Sequence, residues 1–272
     1  MDRTELKILL VDAIEASIAA GKEILNVYKS TFEVEYKDDR SPLTIADKKS
    51  HNVIMKALHE TGIPVLSEEG KDIAFSDRSS WTTLWIVDPL DGTKEFIKQN
   101  GEFTVNIGLV HYGSPVLGVI YVPVEETLYF AAEGFGAYRM DQAAHFNDAD
   151  NIEDYIGKSV KLPEKQDRPF TMVGSRSHMS AETADYFEGI REEFPEAELI
   201  SRGSSLKICM VAEGSADVYP RFAPTMEWDT CAGHAIALEA GFTVVRPDTE
   251  SPLIYNKENL LNPWFIVKQP GS

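Results

Sequence analysis

Residues Leu84–Phe96 read LWIVDPLDGTKEF. The stretch opens as an apolar run, Leu84-Trp85-Ile86-Val87, with the β-branched and aromatic content of a buried strand. It then turns polar at Asp88-Pro89-Leu90-Asp91-Gly92-Thr93. Pro89 has no N–H to give to a sheet ladder, so the strand is expected to stop at Asp88. Gly92 permits a tight bend, and Thr93 is positioned to cap a short helix through Lys94-Glu95-Phe96. Two carboxylates at a strand end suit a hard cation such as Mg²⁺. Free N–H groups at a helix start suit a phosphate oxygen. An isolated D-P or D-G dipeptide is a common solvated turn, so the weight rests on the whole stretch.

Outward from this turn, the N-terminal side supplies more acids. Residues 4–29 carry apolar side chains at helical spacing, which predicts a packing helix with no chemistry of its own. Phe32, Val34 and Tyr36 alternate with polar residues and suggest a short strand. After a polar loop, Thr44-Ile45-Ala46-Asp47 has the form of a capping box opening a helix that runs to about Glu60. Pro64–Gly70 is a short apolar strand ending in Glu68-Glu69, followed by a polar loop, Lys71–Thr83, that is a candidate mobile flap.

On the C-terminal side, Phe103–Val110, Pro115–Val124, Leu128–Ala132 and Gly136–Met140 form a strand meander. The first part of the chain, 1–150, therefore reads as helices on a mainly antiparallel sheet. Residues 141–168 are polar and irregular, which places a boundary there and leaves 151–272 as a second, α/β subdomain. That part alternates strand and helix: Phe170–Gly174, Ala181–Glu193, Glu198–Ser201, Ser204–Glu213, Ala216–Tyr219, Thr230–Ala240 and Phe242–Val245. Asp229, in Glu227-Trp228-Asp229-Thr230, reads as an N-cap of the Thr230 helix.

Composition sets the bounds. The chain has 272 residues, with 26 basic against 44 acidic side chains and a net charge of −18. This argues against nucleic-acid polymers and anionic membranes as main partners, though bound cations can still bring in a small anionic substrate. No apolar run approaches the roughly 20 residues that span a bilayer, and the N-terminus lacks a signal-peptide pattern. Cys209 and Cys231 fit core positions in a reducing cytoplasm, with peripheral attachment to the inner membrane left open. His51, His111, His178 and His234 form no zinc-spacing motif, and G-x-S-x-G is missing, which argues against a serine esterase.

Four stretches in order, Thr44–Asp47, Ser67-Glu68-Glu69, W-x-V-D-P-L-D-G-T and W-D-x-x-A-G at Trp228–Gly233, closely resemble the motifs of the inositol monophosphatase family of metal-dependent phosphatases. Haloacid-dehalogenase phosphatases, by contrast, carry D-x-D-x-T with aspartates two apart, whereas Asp88 and Asp91 are three apart. Further stretches resemble the bacterial 3′(2′),5′-bisphosphate nucleotidases of that family: Asn100–Asn106, Gly174–His178, Gly203–Lys207 and Tyr219–Phe222. Lys94-Glu95-Phe96 stands where inositol monophosphatases typically have T-N-F.

The resemblance implies a layered αβαβα sandwich in the α/β (α+β) class. It implies two or three Mg²⁺ ions held by Glu68, Asp88, the Leu90 carbonyl, Asp91 and Asp229. Asp47 and Thr93, with Glu68, would activate a water. Substrate would meet Glu68, Asp91, Gly92, Thr93, Lys94 and Asp229, with Ser175, Arg176, His178, Ser204, Ser205 and Lys207 holding the nucleotide. The implied reaction removes the 3′-phosphate of adenosine 3′,5′-bisphosphate, with a place in sulfur assimilation and sensitivity to Li⁺. Inositol monophosphate or a sugar bisphosphate as substrate, or a non-catalytic metal- and phosphate-binding role, are the alternatives. Oligomeric state is left open.

Overall fold

The computed structural model describes residues 1–31, 33–36, 42–146, 149, 151–176 and 179–271. Its elements are α1 (Arg3–Tyr28), β1 (Val34–Tyr36), β2 (Pro42–Thr44), α2 (Ile45–His59), β3 (Val65–Ser67), α3 (Phe75–Arg78), β4 (Thr83–Asp91) and α4 (Thr93–Ile97). There follow β5 (Thr104–His111), β6 (Ser114–Val122), β7 (Thr127–Ala132), β8 (Gly136–Met140), α5 (Ile152–Gly157) and β9 (Val160–Lys161). The chain ends with β10 (Thr171–Ser175), α6 (Ala181–Glu193), β11 (Glu198–Arg202), α7 (Leu206–Glu213), β12 (Tyr219–Arg221), α8 (Glu227–Glu239), β13 (Thr243–Val245) and β14 (Phe265–Lys268).

Seven strands, β3 to β9 in sequence order, make the central sheet. Only β3 and β4 run parallel; every other pairing in it is antiparallel, as the meander predicts. Both faces are covered, and the side-chain alternation of β4 divides between them. Trp85 and Val87 join the core beneath α1 and α2, whereas Leu84 and Ile86 join the core beneath α7 and α8. The same split runs through β6, with Leu117, Val119 and Tyr121 on one side and Ile120 and Val122 on the other.

Beyond α7 and α8 lies a second strand layer: the parallel pair β10–β11 and the antiparallel set β12-β14-β13, joined by a bridge between Met172 and Val218. Helix α6 packs outside it, its Tyr186, Phe187 and Ile190 against Met172, Val218 and Ile266. Helix, sheet, helix, sheet, helix is the αβαβα order expected from the resemblance.

Two sequence expectations change, and one strand goes unread. Residues 141–168 are not all irregular; they hold α5, whose Asn151 caps it through Glu153 and Asp154 N–H groups, and β9, which extends the central sheet. The loop 71–83 contains α3, and the buried Arg78 donates to Asn256 Oδ1 at 2.9 Å, Lys257 O at 2.7 Å and Glu258 O at 3.0 Å. The loop is thus pinned at its middle rather than free. Strand β14 had no alternation to announce it, because Phe265, Ile266 and Val267 are all buried between two layers.

Candidate active site

Strand β4 does not stop at Asp88. Asp88 pairs with Asn106 and Asp91 with Thr104, so three steps along β4 match two along β5. The extra residue is a β-bulge, and it absorbs Pro89, whose missing N–H would otherwise break the ladder. Leu90 sends its side chain into the core, 2% exposed, and its N–H donates to Asp88 Oδ1 at 3.0 Å. Gly92 follows with φ of 93°, a left-handed turn that glycine takes at little cost. Gly92, not Thr93, is therefore the N-cap of α4, and Thr93 Oγ1 turns away to donate to Asp47 Oδ1 at 3.1 Å.

Asp47 serves both readings of its motif. Its Oδ2 accepts the Thr44 N–H and hydroxyl, each at 2.7 Å, which closes the capping box of α2. Its other oxygen meets Thr93. Burial pushes its carboxyl above the usual range, with the Thr44 bonds pulling back. Ser50, one turn on, donates to Pro89 O at 2.6 Å and ties α2 to the bulge.

Asp229 arrives from the other side of the sheet. It is the third residue of α8 rather than its N-cap, and its Oδ2 accepts the Met226 N–H at 2.8 Å. Helix α8 lies close on the sheet because Gly108 of β5 and Gly118 of β6, paired with each other, present no side chain to it. Its first turn is anchored by Glu227, fully buried, which accepts from Asn256 N at 2.7 Å and from Lys257 N and Nζ at 3.0 and 2.6 Å.

Asp88, Asp91 and Asp229 each offer a carboxylate oxygen, and these three atoms lie within 4.8 Å of one another. Glu68, directly after β3, lines the same cleft and hydrogen-bonds Asp88. Burial first, then the neighbouring Glu68, Asp91 and Asp229 charges, push Asp88 well above the usual carboxylate range. Burial and Asp91 likewise push Asp229 up to about 8. Asp91 is raised by burial but partly relieved by Lys207, by Asn106 and by the Ser205 N–H. Buried acids crowded without sufficient counter-charge fit a polyvalent cation, and oxygen-only donors fit a hard one.

The cluster lies in a cleft of about 490 Å³, also lined by Gly92, Thr93, Lys94, Ser175, Ser204, Ser205 and Lys207. The sequence-predicted residues therefore largely converge. Lys207 is not solvated: it is 5% exposed, donates to the Ser204 carbonyl and sits 5.5 Å from the Tyr219 ring centre. Burial draws its pKa down to about 8, with Asp91 opposing the shift. Ser204 does not cap α7; its hydroxyl lies 2.8 Å from Asp91 O and 2.6 Å from Glu102 O. Arg176 is engaged by Glu102 at the rim, and His178 lies outside the described residues.

Sequence reading missed Arg221, Tyr219 and Trp228, which line the cleft. Arg221 Nε is buried with no hydrogen-bond partner among the described residues. The Tyr219–Phe222 stretch was noted, but nothing local marks an arginine at a strand end as facing a cleft.

Comparison with known proteins assigns the chain to a family. The family model of the inositol monophosphatase family matches residues 6–266, and the chain belongs to that family. Among relatives, the 3′(2′),5′-bisphosphate nucleotidase CysQ of Salmonella typhimurium is 45% identical over 252 residues, 91% of this chain and 94% of that protein. The crystal structure of CysQ from Bacteroides thetaiotaomicron superposes with a TM-score of 0.91 at 54% identity, covering 98% of each chain. The inositol monophosphatase of Anabaena superposes less well, with a TM-score of 0.69 at 25% identity over 97% of this chain and 91% of that one.

Proposed function

We propose that this chain is a Mg²⁺-dependent phosphomonoesterase that removes the 3′-phosphate of adenosine 3′,5′-bisphosphate, giving AMP and inorganic phosphate. The observation that carries the reading is the juxtaposition of a carboxylate floor, Asp91 and Asp229 lining the cleft with the buried Asp88 beside them, with a wall of hydroxyls and cations, Ser175, Lys207 and Arg221. The similarity to nucleotidases named CysQ supports the substrate.

Glu68, Asp88, Asp91, Asp229 and the Leu90 carbonyl would hold the ions. Bound Mg²⁺ supplies acidified water and a charge to offset the developing phosphate oxyanion. The chain's own groups do the rest. Thr93 Oγ1 donates its hydrogen bond to Asp47 Oδ1, which leaves a hydroxyl lone pair facing the attacking water. As the water's proton passes to Thr93 Oγ1, the Thr93 proton passes to Asp47, whose raised carboxyl suits it to hold that one proton. The N–H groups of Gly92 and Thr93 orient the phosphate being cleaved. Ser175, Lys207 and Arg221 hold the remaining phosphate and ribose. Water attacks directly, so no aspartyl-phosphate forms, and Li⁺ competes at a Mg²⁺ site. Among the described residues no helix is long and apolar enough to cross a membrane, which agrees with a cytoplasmic enzyme.

A substrate panel with Mg²⁺ tests this. Adenosine 3′,5′-bisphosphate should exceed inositol 1-phosphate in kcat/KM by at least about 100-fold, roughly 2.7 kcal/mol. Equal values would remove the nucleotidase reading and leave a metal-dependent phosphatase. Phosphate release that persists in chelator would remove both.

A further inference from the structure

Glu102 lies between α4 and β5, outside the carboxylate cluster, and its side chain is 14% exposed. Its carboxylate accepts Arg176 Nε at 2.9 Å and Nη2 at 2.7 Å, a two-pronged pair. It also accepts the Gly203 N–H at 2.8 Å, and Arg202 Nη1 is 3.7 Å away. The carboxyl falls below its ordinary value through these Arg176 and Gly203 bonds, against the opposing effect of burial.

The same residue holds the next turn by its backbone. Ser204 has φ of 48°, a left-handed conformation that is strained for a residue with a side chain and persists only when its surroundings fix it. Its hydroxyl reaches the Glu102 carbonyl at 2.6 Å. A Cβ added to Gly203 would lie 2.9 Å from that carbonyl, so the loop passes Glu102 as closely as glycine allows. The turn so fixed sends the Ser205 N–H to Asp91, the Ser205 hydroxyl to Asn106 Oδ1 at 2.8 Å, and Lys207 to the Ser204 carbonyl.

We propose that Glu102 is a specificity-setting positioning residue: it shapes the Gly203–Lys207 wall of the cleft for a substrate's second phosphate and keeps Arg176 as a strut. This rests on the bisphosphate reading above. The Glu102 side chain meets Arg176, Arg202 and Gly203 and reaches Asp91 only through the Ser204–Ser205 turn, so a substrate that occupies only the carboxylate floor depends on it less than one that also needs the Gly203–Lys207 wall.

The test is Glu102→Gln, which keeps the shape and removes the charge. KM for adenosine 3′,5′-bisphosphate should rise about tenfold with kcat within about twofold, while kcat/KM for p-nitrophenyl phosphate holds within about twofold. Amide hydrogen exchange in the ligand-free enzyme should quicken at residues 203–205. Parallel losses on both substrates, or unchanged KM with unchanged exchange, would overturn the proposal. A wild type with no preference for the bisphosphate would instead remove the nucleotidase reading. Exchange alone then decides: faster at 203–205 upholds the positioning role, and unchanged overturns it.

Discussion

Asp88 is 2% exposed, shares its surroundings with three other acids, and is destabilising as a charge without a cation. Two opposite effects of Asp88→Asn follow. In chelator the variant should melt higher than wild type, because a buried repulsion is gone. With Mg²⁺ it should lose most turnover, more than about 100-fold, or roughly 2.7 kcal/mol of transition-state stabilisation. Thermal melts with and without Mg²⁺, beside phosphate-release rates, check both signs. Near-normal turnover would take Asp88 out of the ion site. Thr93 separates proton handling from ion binding. Thr93→Val keeps the volume and removes the donor to Asp47, so Mg²⁺ affinity by calorimetry should hold while kcat falls about 10²-fold or more. A fall in affinity equal to the fall in rate would place Thr93 in ion binding instead.

At the scale of elements, α8 carries a cost as well as a ligand. His234 is 1% exposed on it; Nδ1 meets Tyr255 Oη at 3.0 Å, and Nε2 has no partner among the described residues. Burial lowers its pKa from 6.5 to about 3. The unfolded chain thus takes up a proton near pH 6.5 that the folded chain refuses until about pH 3, so this contribution is intact above pH 6.5 and drains away as pH falls. From pH 6.5 to 5 the loss is about 1.5 kcal/mol. Urea unfolding of His234→Gln should show a pH dependence shallower than wild type by about that amount; identical slopes would mean His234 takes a proton in the folded state. The element also shows how far local reading reaches. The acid of W-D-x-x-A-G is legible as a motif, yet its place as the third residue of α8, rather than the N-cap, is not. The helix begins at Glu227 because a loop 30 residues later bonds that side chain, and no local signal reports such a partner.

At the scale of the whole molecule, the site is a junction between layers. Asp88 and Asp91 come from the central sheet, Asp47 from the helices on one face, and Asp229 from the helices on the other. The spacing of those layers at α8 depends on Gly108 and Gly118. A Cβ at Gly118 would lie 2.9 Å from the Ala232 carbonyl carbon and 3.0 Å from Ala235 Cβ, both in the middle of α8. Gly118→Ala should therefore push α8 outward, cost about 1–3 kcal/mol and lower Tm by roughly 2–10 °C. Because α8 carries Asp229, Mg²⁺ affinity should weaken with it. A destabilised variant with unchanged Mg²⁺ affinity would show that Asp229 follows the sheet independently of the helix.

The sequence by itself determined the class of fold, the meander, and the acids that gather in the cleft. Strand alternation and compact motifs depend on neighbours a few residues apart, so they survive in a linear reading. The bulge that carries β4 past Pro89 was decided by pairing with β5, and the seat of Asp229 by the loop at Asn256-Lys257. The engagement of Arg176 by Glu102 and the exposure of Arg221 to the cleft were likewise decided in three dimensions. Each depends on a partner remote in the chain, and the energy of a buried charge or an interrupted ladder depends on which partner arrives.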